Sequence, residues 1–450
     1  MNWKRDVVIG KRHDLPVFAD VDVLVVGGGA AGVAAAETAS RHGQNVILIE
    51  KYGFCGGAAV AGLSGTICGM YLSSDRMKQP EQVVFGFTEK FRSEMERRGG
   101  ITPPLKYGKT WTVTHDPLVW REVAEDFLLE SGVNILYHTS LVGVLKEDEQ
   151  IKGVIINTKS GMAVIHAKVV IDASGDADVI YRAGFAFSMG DEGRIQNPTM
   201  IFRVGGVNVE TFLRYWGNDT ICSSEVTSLI HSLNKSGKYD LPRSKIWVFK
   251  TSRPGELLVN ATRLLGQDKR ELNVINPIDH TEAEYLGRRQ VREYARFLKE
   301  HIRGCENLFV NDTGVEVGIR QTRTVEGVEK LTNEDVLSKR KREDGIACSP
   351  WPIELHAGEK PRVEWLLDDY YDVPFQTLIP EKGENIIVAG RCLSAEHEAL
   401  ASARVTAQCF AYGHAAGIAA SESIKQKQSL RKIDGREIRE LLNKDGARLP

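Results

Sequence analysis

The segment "GRCLSAEHEALASARVTAQC", residues 390–409, concentrates charged side chains beside a run of small residues. His397 stands between Glu396 and Glu398, and a neighbouring carboxylate raises the pKa of an imidazole and keeps it protonated. Such a histidine suits an orienting or proton-donating role. Arg404 is predicted in the first turn of a following helix, where the helix dipole disfavours a cation, so it indicates an anionic or carbonyl partner. A surface loop and a structural ion pair are the alternatives.

A second pair of chemically capable residues occurs in "WPIELH". Glu354 and His356 are two positions apart and share one face of a predicted strand, while Ile353 and Leu355 share the other. Histidine is the side chain that most often acts as a general base. A solvated strand face would show the same alternation.

A glycine-rich turn lies much earlier in the chain. Gly27, Gly29 and Gly32 form a GxGxxG pattern between an apolar run and an alanine-rich segment, residues 30–42, that is predicted to be helical. These glycines permit a tight turn and let backbone N–H groups approach a pyrophosphate at the helix N-terminus. Glu50 ends the next predicted strand, where a carboxylate accepts the ribose hydroxyls and disfavours a 2′-phosphate. The turn alone could serve packing, but with Glu50 it predicts a dinucleotide site.

Three further segments indicate which dinucleotide is bound. "EKYGFCGGAA" places a glycine pair after Glu50, "VVIDASGDAD" is a buried strand ending in small residues and an aspartate, and "ENIIVAGRCLSA" is a strand ending at a glycine and an arginine. In this order they resemble the signatures of two-dinucleotide-fold flavoproteins of the glutathione-reductase type. The resemblance implies FAD, with contacts at these positions: Gly27, Gly29, Ala31, Gly32, Glu50, Lys51, Gly56, Gly57, Ala58, Val142, Ala173, Gly175, Asp176, Gly390 and Arg391.

A narrower resemblance rests on "GVEVGIRQTRTVEGVEKLTNEDVL", "WPIELH" and "VAGRCLSAEHEALASARV". These segments are similar to a widespread bacterial family of FAD-dependent oxidoreductases and, more distantly, to the flavoprotein subunits of fumarate reductase and succinate dehydrogenase. Those subunits attach flavin covalently through a histidine soon after the glycine pair. "GGAAVAGLSGTICGM" has no histidine, so we expect non-covalent FAD. The resemblance makes His356 the leading base. Arg320 lies in the first of these segments, where an exposed charge is the alternative, and with His397 and Arg404 it completes the four catalytic candidates.

The elements that must position these residues form an α/β fold. Residues 22–49 predict a strand–helix–strand unit, and residues 133–173 predict a β-meander that leads back into the same sheet. We therefore predict a Rossmann-like FAD-binding domain with a central parallel sheet and a β-meander, plus an inserted α+β substrate domain. The predicted divisions are 1–185 (FAD-binding domain, first part), 186–371 (substrate or cap domain), 372–424 (FAD-binding domain, second part) and 425–450 (peripheral C-terminal helix).

Composition excludes several other classes of protein. The chain of 450 residues has 58 basic and 60 acidic side chains, a balance that argues against a nucleic-acid binder. No uncharged apolar stretch approaches 18 residues and no signal peptide is evident, so neither a membrane span nor export is expected. Seven cysteines without a CxxC pair fit a reducing compartment and argue against a disulfide framework or a metal site. These features predict a cytoplasmic protein and leave a homo-oligomer open.

The leading hypothesis is hydride transfer between FAD and a small polar metabolite, namely an alcohol, an amine or a carbon next to a carbonyl. The reverse, a flavin-dependent reductase of an activated alkene or carbonyl, is the first alternative. An FAD-binding electron-transfer subunit is the second, although iron–sulfur CxxC motifs are absent. Residues 186–371 contain no second GxGxxG, so the electron acceptor or donor stays open between oxygen, a quinone, NAD(P) and a carrier protein.

Overall fold

The computed structural model of the protein describes residues 14–356 and 362–450. The strands are β1 (Val17–Val26), β2 (Val46–Ile49), β3 (Thr66–Ile67), β4 (Leu105–Tyr107), β5 (Thr110–Thr114), β6 (Asn134–Leu136), β7 (Ser140–Glu147), β8 (Gln150–Thr158), β9 (Gly161–Asp172), β10 (Phe187–Met189), β11 (Phe202–Gly205), β12 (Trp247–Lys250), β13 (Leu257–Asn260), β14 (Phe309–Thr313), β15 (Arg323–Val325), β16 (Gly345–Ser349), β17 (Ile353–Leu355), β18 (Arg362–Glu364), β19 (Tyr371–Pro374) and β20 (Ile386–Val388). The α-helices are α1 (Ala30–Arg41), α2 (Gly57–Val60), α3 (Phe87–Arg97), α4 (Pro117–Glu130), α5 (Asp178–Ala183), α6 (Val209–Trp216), α7 (Ser224–Lys235), α8 (Pro277–His301), α9 (Asn333–Leu337), α10 (His397–Ala403), α11 (Thr406–Gln426) and α12 (Gly435–Lys444), with 3₁₀ turns at Phe375–Leu378 and Leu430–Lys432.

The central sheet is built mostly from parallel strands. β6, β2, β1 and β9 lie side by side in parallel, β20 pairs with the second half of β9, and β8 and β7 extend the first half of β9 as an antiparallel meander. β2, β20 and the second halves of β1 and β9 are buried and almost wholly apolar, as expected where helices cover both faces of such a sheet. The predicted α/β class is confirmed.

The late strand β20 joins the sheet opened by β1, and α11 packs along α1. Two glycines of α11 allow this contact. A Cβ built on Gly413 would lie 2.0 Å from the Ala31 carbonyl oxygen, and one on Gly417 would lie 2.6 Å from the Ala35 carbonyl oxygen. The alanine- and glycine-rich pattern of α11 therefore lets two helix backbones approach closely, which brings residues near 400 beside the first turn of the sheet.

A second, antiparallel sheet has the strand order β12–β13–β11–β14 and its own apolar core, which includes Phe202, Phe212 and Tyr294. The long helix α8 packs against this core. It begins after Asn276, whose side chain accepts a hydrogen bond from the Ile278 N–H, and has Pro277 in its first turn. The domain divisions inferred from the sequence stay a prediction.

The segment after β20 differs from the single helix expected there. It forms α10 and α11, and Arg404 and Val405 lie between them, with Arg404 as the C-cap of α10. The expectation that Arg404 lies in a first helical turn was wrong. A cation is favoured, not disfavoured, at a helix C-terminus, so the dipole argument for an anionic partner does not hold. Among the described residues, no helix has the length and apolarity needed to cross a membrane.

Candidate active site

The glycine-rich turn connects β1 to α1. Gly27 has a φ of +102°, and a Cβ there would lie 2.6 Å from the Ala173 carbonyl oxygen, so only glycine fits. A Cβ on Gly32 would lie 1.8 Å from the Gly27 carbonyl oxygen, which makes Gly32 the packing position beneath the turn. Gly29 is the N-cap of α1 and no side chain caps it. The N-terminus of α1 is therefore free to bind an anionic group.

Glu50, directly after β2, holds this turn in shape. One carboxylate oxygen accepts a 2.7 Å hydrogen bond from the Gly28 N–H, and the other accepts a 2.9 Å bond from the Tyr52 N–H. Burial raises the pKa of Glu50, and the two backbone N–H groups oppose that rise. A carboxylate has about four acceptor positions, so two stay available for ribose hydroxyls.

One cavity contains most of the residues expected to bind the cofactor. It is lined by Gly27, Gly29, Ala31, Glu50, Lys51, Gly56, Gly57, Ala58, Ala173, Gly175, Asp176, Gly390 and Arg391. Gly32 and Val142 do not line it. Gly32 packs under the turn, and the Val142 carbonyl oxygen accepts a 2.9 Å hydrogen bond from Arg182 on the exposed side of the meander.

The residues present fit a dinucleotide. Bare backbone faces the cavity where the two glycine turns meet, since a Cβ on Gly57 would lie 3.0 Å from the Gly29 Cα. N–H groups at the start of α1 suit a pyrophosphate, and Glu50 suits a ribose. The Asp176 carboxylate, beside them, is paired with Arg391 at 2.9 Å.

The same cavity continues to a cluster of polar side chains, which we call the polar pocket: Tyr107, Arg320, Glu354, His356 and Arg404. They come from distant parts of the chain. Tyr107 ends β4, Glu354 lies on β17 and His356 follows it. The Tyr107 hydroxyl donates a 2.7 Å hydrogen bond to Glu354 Oε1, and His356 Nε2 lies 3.8 Å from Glu354 Oε2.

A hydrogen bond from Arg243 to the His356 ring defines the tautomer of the imidazole. Arg243 Nη2 lies 3.2 Å from His356 Nδ1. Because a guanidinium can only donate, Nδ1 accepts, and the ring proton of the neutral imidazole is on Nε2. Burial, together with Arg320, Arg243 and Arg404, lowers the pKa of His356 well below its usual range. The ring is therefore a neutral hydrogen-bond donor towards the Glu354 side, which does not suit the general-base role expected from the sequence.

The two arginines of the polar pocket are held by neutral groups. Arg320 is 6% exposed and its Nη1 donates a 2.7 Å hydrogen bond to the Asn197 carbonyl oxygen. Arg404 Nη2 donates a 3.0 Å bond to Gln196 Oε1. Burial lowers the pKa of Arg404 to about 10, and burial with the neighbouring Arg243 and Arg404 lowers the pKa of Arg320 well below its ordinary value.

His397 is the one catalytic candidate that does not line the cavity. It is the first residue of α10, is half-buried, and its Nδ1 has no hydrogen-bond partner among the described residues. Burial lowers the pKa of His397, although Asp191, Glu398 and Glu271 act to raise it. The expectation that adjacent glutamates keep it protonated was wrong, because the loss of hydration outweighs their attraction.

Residues 22–442 match a protein family described as "FAD dependent oxidoreductase". The chain belongs to this family. FAD is therefore its cofactor, and FAD, when bound, supplies a ring that accepts or donates hydride.

Curated relatives share shorter stretches with this FAD-dependent oxidoreductase. A urocanate reductase from Eggerthella lenta is 59% identical over 63 residues, which are 14% of this chain and 10% of that protein. A thiamine thiazole synthase from Aeropyrum pernix is 26% identical over 172 residues, 36% of this chain and 57% of that protein. The matches thus span a tenth to somewhat over half of these relatives.

Among solved structures, a geranylgeranyl bacteriochlorophyll reductase-like protein from Thermoplasma acidophilum matches with a TM-score of 0.50. The sequences are 14% identical, and the match covers 95% of this chain and 83% of that one. At this identity the likeness shows the fold alone.

Sequence reasoning missed part of the polar pocket of the oxidoreductase. Glu354 appeared only as a neighbour of His356, although its alternation with apolar residues was a usable signal. Tyr107 and Arg243 carry no local motif. Tyr107 reaches Glu354, and Arg243 reaches the His356 ring behind the pocket, through tertiary contacts that no spacing in the sequence reveals.

Proposed function

We propose that this FAD-dependent oxidoreductase transfers hydride between non-covalently bound FAD and a small polar metabolite, an alcohol, an amine or a carbon next to a carbonyl. One observation carries the proposal: the cavity that fits a dinucleotide continues into a buried pocket that holds a carboxyl group, a neutral imidazole and two guanidinium groups. Oxidation of such a carbon needs a group to receive a proton and groups to fix the substrate.

Glu354 is the proton acceptor in this proposal. Its Oε1 already accepts the Tyr107 hydroxyl, while Oε2 has no hydrogen bond among the described residues and faces the His356 ring at 3.8 Å. Oε2 can take the proton that leaves the substrate O–H, N–H or C–H. His356 Nε2–H orients the substrate oxygen or nitrogen, and Arg243 keeps the imidazole in that tautomer.

Non-covalent FAD is supported by the two thiols that line the cavity. Cys68 and Cys409 line the cavity, and burial raises the pKa of their thiols to about 11 and about 12. A protonated thiol is a poor nucleophile, so neither favours a thioether to the cofactor. Acid precipitation should release free FAD into the supernatant. Flavin that stays on the protein pellet would contradict non-covalent binding.

The reverse direction, reduction of an activated alkene or carbonyl, is the second candidate. Two guanidinium groups and the His356 N–H stabilise negative charge that develops on a carbonyl oxygen, and this favours reduction as much as oxidation. An electron-transfer subunit without a substrate needs no such pocket. We also propose that the chain is related to the glutathione-reductase-type and fumarate reductase flavoproteins, and that the protein is located in the cytoplasm.

Anaerobic bleaching of the yellow holoenzyme distinguishes these functions. Alcohols, amines, hydroxy acids and amino acids are added to oxidised enzyme, and enones, enoates and oxo acids to enzyme reduced with dithionite. Bleaching by a member of the first set supports the dehydrogenase or oxidase, and oxygen or a quinone then tests the acceptor. Reoxidation only by the second set supports the reductase. No response to either set would leave the electron-transfer subunit.

A further inference from the structure

The polar pocket, together with Arg243 behind His356, carries more positive than negative charge. Arg243 and Arg404 lower the pKa of Arg320 by charge repulsion, and one carboxyl group, Glu354, raises it by attraction. Arg243 is 1% exposed and Arg320 is 6% exposed, so water screens their charges poorly. Three guanidinium groups against one carboxyl group leave an excess of about two positive charges in a buried space, which is costly unless an anion is also present.

Several hydrogen-bond donors of these arginines lack partners. Within residues 14–356 and 362–450, the buried Nε and Nη1 of Arg243 and the buried Nε of Arg404 have none. Arg320 makes a single hydrogen bond there, to the Asn197 carbonyl oxygen. Buried guanidinium donors are normally satisfied, and Arg404 lines the cavity, so its unpartnered Nε indicates an acceptor missing from the cavity.

The other cations of the cavity show a different pattern. Lys51 pairs with Glu316 at 2.8 Å, and Arg391 pairs with Asp176 at 2.9 Å. Both lie among the residues that fit the dinucleotide. By contrast, among the residues that the structure describes, Arg404 donates only to an amide oxygen and Arg320 only to a backbone carbonyl oxygen. The unpaired positive charge is therefore confined to the substrate end of the cavity.

We infer that the substrate is a small organic carboxylate whose carboxylate group is bound by Arg320 and Arg404. A guanidinium presents its N–H groups in a planar fork that matches a carboxylate. Ile201, Phe249 and Trp351 line the same cavity and suit the apolar part of a short organic acid. Arg243 acts through His356 and is a positioning residue. The inference rests on the proposed function, because it names the substrate class of that site.

Binding without turnover tests the inference. Oxidised holoenzyme is titrated with succinate and benzoate, with their neutral amides succinamide and benzamide, and with inorganic phosphate, following flavin absorbance and calorimetric heat. The carboxylates should bind at least about tenfold more tightly than their amides and than phosphate. Arg404→Gln should weaken carboxylate binding by about 10- to 100-fold, the usual range for a charged hydrogen bond. Arg404→Lys should lose less, and Arg214→Gln, on the exposed face of α6, should change nothing.

Three results would overturn the inference. Equal affinity for acids and amides removes the anion subsite, and tighter binding of phosphate assigns the subsite to a phosphate ester. Loss of FAD from Arg404→Gln, with carboxylate affinity unchanged, would mean that the cofactor neutralises this arginine. If Arg404→Gln does not fold, the wild-type comparison of acids with amides decides by itself. Selective carboxylate binding by an enzyme that no metabolite bleaches would instead reject the proposed redox function.

Discussion

We propose Glu354 as the proton acceptor, whereas the sequence favoured His356 as the base. One pair of variants distinguishes the two assignments. Glu354→Gln keeps the size of the side chain and an oxygen that can accept a hydrogen bond from the Tyr107 hydroxyl. In the wild-type protein this hydroxyl lies 2.7 Å from Glu354 Oε1. It removes the group that receives the proton. General base catalysis contributes roughly 10²–10⁴-fold, so flavin reduction should slow by that factor. FAD content should not change.

His356→Gln is the matched variant. The imidazole offers the substrate an N–H at Nε2, and a glutamine side chain carries an N–H₂ at a similar distance from the backbone. At most one hydrogen bond weakens, worth about 0.5–1.5 kcal/mol, so the rate should fall by about tenfold or less. The order of the two effects follows from the 3.2 Å contact of Arg243 with His356 Nδ1, which leaves Nε2 protonated.

Anaerobic stopped-flow measurement of flavin bleaching, with the metabolite that reduces the wild-type enzyme, gives both rates. Released FAD, quantified after acid precipitation, shows whether each variant keeps its cofactor. A loss of 10²–10⁴-fold in His356→Gln with near wild-type rates in Glu354→Gln would refute the tautomer argument and restore His356 as the base.

Three further predictions concern the cofactor site and the core. Glu50→Ala should lose FAD and lower the melting temperature, because it removes the carboxylate that holds the Gly28 and Tyr52 N–H groups and because bound cofactor stabilises the fold; flavin content and thermal unfolding measure both. Gly29→Val should abolish FAD binding with little change in the stability of the apoprotein, since within the described part of the chain a Cβ there has only the Gly57 Cα within 4 Å, at 3.9 Å. Burial lowers the pKa of His115 to about 4, so the unfolded chain binds more protons than the folded one below pH 6.5 and stability falls as pH falls. Between pH 6.5 and 5 this histidine should cost about 1.5 kcal/mol, which His115→Phe removes, as urea unfolding at the two pH values measures.

Each of these has an outcome that contradicts it. Unchanged flavin in Glu50→Ala removes that carboxylate from the site. Gly413→Ala is the contrast to Gly29→Val, because its Cβ would meet the Ala31 carbonyl oxygen at 2.0 Å, so apoprotein stability should fall in Gly413→Ala alone. A pH dependence in His115→Phe as steep as in the wild type would show that His115 is not held neutral.

The sequence by itself was sufficient for the fold class and the cofactor. The glycine turn, Glu50 and the strands around them lie within about 30 residues, and their spacing is set by the local geometry of a strand–helix–strand unit. The later segments could be placed beside them because they resemble the second and third signatures of two-dinucleotide-fold flavoproteins. Because such residues lie close together in the sequence, the pattern can be recognised without the tertiary structure.

Only the tertiary structure decided the chemistry of the polar pocket. Its side chains come from positions 107 to 404, and neither their contacts nor their protonation states follow from spacing. His397, flanked by glutamates, was expected to be protonated, yet burial lowers its pKa, and His356 became a donor because Arg243 occupies its other nitrogen. The physical reason is that hydration and long-range charge set these states, and both depend on what surrounds a group in space.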